Sequence, residues 1–118
     1  MQGKHFALAF HIPGTLAADI TLVFKVPFAC QLVKISAVAT NDSAATLKAG
    51  TTGSTAAYLA EAAIGDSSVP VEFGQANFVG GEFPHIPDDT VVQLTLDYNG
   101  DGGTAAQNVT IVATFTEG

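Results

Sequence analysis

The chain has 118 residues, the length of one domain, and a domain of this size buries about two-thirds of the surface that its unfolded form exposes. Charged residues make up 13% of it, against about 25% in an average soluble domain, and there is no arginine. With four lysines and a net charge of −7 the chain offers no basic patch to a phosphate backbone, and no stretch approaches the about 18 apolar residues of a membrane span, so neither nucleic acid nor a membrane is an expected partner.

The chain opens on a short N-terminal arm, Met1 to His5, that lacks the sustained apolar run of a signal peptide. Phe6, Leu8, Phe10 and Ile12 then alternate with polar or small residues, a strand that Pro13-Gly14 is expected to end. Ile20, Leu22, Phe24 and Val26 repeat the pattern up to Pro27, which lacks a ladder donor and marks a strand end or an edge. From Cys30 to Thr40 the apolar parity slips, from Cys30 and Leu32 to Val33, Ile35, Ala37 and Ala39; a bulge or a strand buried on both faces explains this. Asn41-Asp42-Ser43 is turn chemistry, and Ala45 to Ala49 is a short strand candidate.

Ser54 to Ile64 reads either as one or two helical turns or as a loop followed by a strand, with the second reading favoured. Val69, Val71 and Phe73 form a further strand, at an edge because of Pro70. Gly74 to Gly81 is a loop anchored by Phe78 and Val79, and two prolines hold Phe83 to Pro87 extended. Val91 to Phe115 reads as one long β-hairpin, with Val92, Leu94, Leu96 and Tyr98 on one inward row and Val109, Ile111, Ala113 and Phe115 on the other. About eight strands with no long helix indicate a single all-β domain over residues 1–118, an antiparallel β-sandwich of jelly-roll type.

Chemistry-bearing groups are sparse. Asp97, Asn99 and Asp101 fit the first half of a calcium loop, but Asn108 stands where a bidentate Glu is expected, so a plain connection rich in Asn, Asp and Gly is the favoured reading. Asp88 and Asp89 add ligands only if the loops cluster at one end. His5 and His11 share the outward parity of the first strand but stand about 20 Å apart, too far to chelate one ion within a subunit. His85 lies between prolines, no nucleophile elbow is present, and Glu61, Glu72 and Glu82 are scattered singly, so neither an enzyme nor a cofactor is expected. Cys30 is the one cysteine and reads as a small buried hydrophobe.

The charge deficit is filled by Thr, Ser, Gly and Ala, and a surface of Thr and Ala needs little desolvation when another protein covers it; the alternative is an ordinary β-sandwich, whose strands favour Thr and Val and whose loops favour Gly. Val23, Thr95, Thr110, Val112, Thr114 and Thr116 have outward parity and are expected on a sheet face turned to a partner. The arm Met1 to His5 and the loops Gly50 to Ser54 and Phe78 to Pro87 are expected to reach neighbouring molecules, with Met1, Gln2, Lys4, His5, Phe78, Phe83 and His85 as the candidate interface residues.

At FKVPFACQLVKISAVAT, residues 24–40, and at VTIVATFTEG, residues 109–118, the chain resembles small virion proteins of tailed bacteriophages, and most of all their capsid decoration, or cement, proteins. The resemblance implies a protein made in the bacterial host cytoplasm. It implies a homo-oligomer, with a trimer favoured, that binds the major capsid protein on the outer capsid surface and bridges neighbouring capsomers. No catalytic residue comes with it. The alternative is a carbohydrate- or receptor-binding module of a tail fibre, assisted or not by calcium, for which the absence of tryptophan leaves a poor stacking platform.

Overall fold

The alternating runs fold as nine strands, which a computed structural model describes over residues 5–100 and 102–117. They are β1 (His5–Thr15), β2 (Ile20–Lys25), β3 (Cys30–Val38), β4 (Thr46–Thr51), β5 (Leu59–Ala63), β6 (Val71–Phe73), β7 (His85–Ile86), β8 (Val91–Asp97) and β9 (Gln107–Glu117). One sheet has the order β1-β9-β3-β6, with β7 pairing the start of β3, and the second has the order β2-β8-β4-β5. All of the ladders between these strands are antiparallel, and one isolated bridge, Val38 to Gly65, is parallel. Among the described residues there is no α-helix, only two 3-10 turns at Gln75–Asn77 and Val79–Gly81.

The pairs β1·β9, β2·β8, β3·β6 and β4·β5 nest about the connection between β4 and β5, like one long antiparallel ribbon folded at its middle. Rolling that ribbon lays β9 against β3 and β8 against β4 and closes the two sheets. This is a jelly-roll sandwich, and the ninth strand beyond the eight expected is the two-residue β7.

The rolled topology corrects the expected hairpin over Val91 to Phe115. β8 pairs with β2 and β4, β9 with β1 and β3, so the two strands belong to opposite sheets and the connection 98–106 crosses between them. Their inward rows are as expected: Val92, Leu94 and Leu96 from one side meet Val109, Ile111, Ala113 and Phe115 from the other in a single core. The first strand also outruns its expected end. β1 continues through Pro13 and Gly14 to Thr15 with a register shift after Ile12; proline is tolerated because β1 is an edge, and Gly14 takes φ +80°.

The parity slip in β3 is a bulge. Leu32 pairs with Phe115 and Lys34 with Thr114, leaving Val33 as the extra residue, so that Cys30 and Leu32 before it and Ile35 and Ala37 after it all face the core. Segment 54–64 resolves as a loop followed by the strand β5. Phe115 is fully buried, stacked on Phe6 at 4.8 Å and met edge-on by Phe24 at 6.0 Å, which ties the two sheets together near the β1–β2 side.

Loop 52–58 folds back on the end of β4: Thr51 and Ser54 exchange backbone hydrogen bonds, and the Tyr58 N–H reaches the Ala49 carbonyl at 2.9 Å. The backbone passes so close to Gly50 that a methyl there would overlap the Ser54 carbonyl, whereas Gly53 at the loop tip faces open space. Gly50→Ala is therefore expected to lower stability by about 1–3 kcal/mol and Gly53→Ala to change it by less than about 0.5 kcal/mol, both read from urea unfolding curves.

Candidate interaction surface

The topology sorts the loops onto two ends of the sandwich. At one end lie the start of β1, the β2–β3 corner, loop 52–58 and the long segment 74–90; at the other lie 16–19, 39–45, 64–70 and the crossing connection 98–106. The described residues expected at interfaces, His5, Phe78, Phe83 and His85, all fall at the first end, although the sequence alone did not place them together. Met1, Gln2 and Lys4 lie outside the described residues.

Segment 74–90 is fastened there by its backbone. Val79 N–H donates to the Tyr58 carbonyl at 3.0 Å, Leu32 N–H to the Pro84 carbonyl at 3.0 Å, and His85 pairs with Gln31 in the β7·β3 ladder. Phe78 is turned into the core at 3% exposure, so the apolar surface of the loop is Val79 at 51% and Phe83 at 37%. Val79, read from sequence as an anchor, anchors through its N–H and leaves its side chain in solvent. His5 and His85 are exposed.

The outward Thr and Val residues do not form one surface. Thr110, Val112, Thr114 and Thr116 stand on β9 in the middle of the first sheet, flanked by Ala9 and Ala7 of β1 and Ser36 of β3. Val23 and Thr95 stand on the outer face of the second sheet, where β2 pairs with β8. That split follows from β8 and β9 not being a hairpin. The β9 row itself carries no charge, but Lys34 of β3 stands directly beside Thr114 and pairs with Glu72 of β6 at 3.7 Å, more than half exposed on both sides.

The calcium-like loop lies at the opposite end from the candidate interface residues. Asp97 accepts the Asn99 N–H at 3.3 Å, while Asp101 lies outside the described residues. Asp88 and Asp89 are at the other end of β8, about 20 Å away along the strand, so they cannot complete a site with Asp97. Among the described residues no three His, Cys, Asp or Glu side chains are grouped to hold an ion, and no concave pocket is present.

The connection between β8 and β9 packs on loop 39–45. The Asn41 side chain works in both directions, its Nδ2 donating to the Ala105 carbonyl at 2.8 Å and its Oδ1 accepting the Gln107 N–H at 2.9 Å. Ala44 N–H donates to the Thr104 carbonyl at 3.0 Å, and Gly100, at φ +61°, lies so close to Ala44 that only glycine fits. Asn41 had read as turn chemistry; that it clamps a second loop is a tertiary fact with no local signal.

Two titrating side chains are shaped by burial. Cys30 is wholly enclosed, and desolvation pushes its thiol above the ordinary range. Burial first, and the nearby Cys30 second, push the Tyr58 phenol up as well. His11 Nδ1 lies 2.9 Å from Thr110 Oγ1 on the outer face.

No protein-family model matches the chain, and no curated protein is similar to it in sequence. Among solved structures it is similar to a chain of the cyanophage Pam1 capsid asymmetric unit, with a TM-score of 0.60 over 99% of this chain and 87% of that one at 14% identity. At that identity the likeness is one of fold, and it extends over both sheets.

Loss of the two-way clamp in Asn41→Ala is expected to cost about 1–3 kcal/mol, measured by thermal or urea unfolding. The Cys30 thiol is expected to resist an aromatic disulfide reagent in the native protein and to react as the chain unfolds. Because the unfolded chain loses this proton first, stability is fully present below the ordinary thiol pKa and declines as pH rises through it. An unfolding free energy that rises over that alkaline window would contradict the buried thiol.

Proposed function

We propose that this chain is a non-enzymatic structural protein of a tailed-phage virion, a decoration subunit that binds the outer surface of the capsid and stabilises it. The observation that carries this reading is the jelly roll shared along nearly the whole chain with a chain from a phage capsid asymmetric unit. The resemblance at residues 24–40 and 109–118 to phage decoration proteins points the same way, and so does the uncharged outward row of β9.

In this reading the loop-bearing end meets the major capsid protein. Val79 and Phe83 supply apolar contact there, and His5 and His85 add polar contact, in a setting where the backbone is already held by β7 and by the Tyr58 carbonyl. A preorganised loop loses little conformational freedom on binding. Each contact is worth about 25 cal/mol per Å² of apolar surface before association costs, and a homo-oligomer would multiply a modest contact through avidity.

Capsids lacking an external subunit provide the test. The protein is expected to co-sediment with them in saturable amount, and the paired substitutions Val79→Asp and Phe83→Asp are expected to weaken binding about tenfold or more while leaving the fold intact. A protein that stays in the supernatant with every phage head tested, at concentrations well above those of an infected cell, would remove this assignment.

A further inference from the structure

We infer that β1 is a self-recognition edge, through which two copies of this chain pair antiparallel about a twofold axis at Leu8. The inference rests on the fold alone and stands or falls independently of capsid binding.

The first observation is the sequence of the strand. His5-Phe6-Ala7-Leu8-Ala9-Phe10-His11 reads identically in both directions. In an antiparallel pair centred on Leu8, His5 faces His11 of the second copy, Phe6 faces Phe10, Ala7 faces Ala9 and Leu8 faces Leu8. Every residue thus meets its own type, the self-complementarity that a twofold contact demands.

The second observation is that β1 is an open edge, unprotected from His5 to His11. It pairs with β9 on one side and with no described strand on the other. Edge strands are usually guarded by charge, by brevity or by proline. In this protein β2 carries Lys25, β5 carries Glu61, and the three-residue β6 carries Glu72 after Pro70. β1 has eleven residues and no Asp, Glu, Lys or Arg among them. Its guard is at the far end alone, where Pro13 and the register shift between Ile12 and Thr15 stop further pairing just beyond His11. The part of the edge left open coincides with the palindrome.

The third observation is burial. The inward rows of the central strands β3, β8 and β9 are wholly enclosed, but those of β1 (Phe6, Leu8, Phe10, Ile12) and of the neighbouring edge β2 (Ile20, Leu22, Phe24) are only half-buried. A second copy paired along β1 continues the first sheet across the axis and lays its own Phe6, Leu8 and Phe10 beside this row, which shields the open side of both cores. Aromatic and aliphatic cross-strand neighbours favour such a pair. On the outer face His5 lies beside Thr116 of β9 and His11 beside Thr110, with Glu117 next along β9 as the nearest carboxylate in the ladder.

Ala7 and Ala9 are exposed on the outer face and touch the core in neither copy, so they test the register without disturbing the fold. Sedimentation velocity over a wide concentration range is expected to show a dimer for the natural chain. Ala7→Lys together with Ala9→Lys puts like charges opposite each other twice and is expected to raise the dimer dissociation constant about tenfold or more, most strongly at low salt. Ala7→Lys together with Ala9→Glu puts opposite charges there twice and is expected to restore the dimer. A natural chain that is monomeric or trimeric at every concentration, or a doubly lysine-substituted chain that keeps the dimer mass, overturns the inference. Failure of the lysine–glutamate variant to dimerise, with its sheet spectrum unchanged, overturns the register centred on Leu8.

Discussion

The pairing of β9 on both of its edges is the constraint from which the rest of the structure follows. With β1 on one side and β3 on the other, β9 places Val109, Ile111, Ala113 and Phe115 at the centre of one sheet, directly over the β8 row of the other. Once both edges of β9 are taken, β8 cannot also be its hairpin partner without displacing β1 or β3. The crossing connection, the clamp of Asn41 across it and the gathering of segment 74–90 at the far end are then consequences of that one arrangement.

Much of this architecture was legible in the amino-acid order because alternation reports directly which side chains face the core. The inward rows of β1, β2, β8 and β9 were all readable in that way, and so was the phase slip that becomes the bulge at Val33. Alternation does not report the neighbour across the ladder. β8 and β9 follow one another with a turn-rich connection between them, and only its length argues against a tight hairpin, since hairpin loops commonly hold about 2–5 residues. β5 was ambiguous for a different reason: its small residues, Ala60, Ala62 and Ala63, suit a helix as well as a strand, and pairing with β4 decided between them.

The candidate surface was legible by residue and not by place. Aromatic residues in a Gly- and Pro-rich loop stand out in the sequence, but whether each points in or out depends on the core beneath, and Phe78 turns in while Phe83 stays at the surface. The gathering of His5, Phe83 and His85 at one end is set by where strands start and stop, which local pattern cannot supply. The outward threonines and valines illustrate the same limit, since equal parity on β8 and β9 put them on opposite faces of the molecule.

The nesting of early strands with late ones also governs how the chain reaches its native state. β1 and β3 leave the ribosome well before β9, the strand that must lie between them, and residues are added at about 5–20 per second. For several seconds the aromatic row of β1 therefore has no ladder partner within its own chain. Such reliance on distant pairings places the domain among slow folders, with the unpaired aromatic row prone to aggregation until β9 arrives.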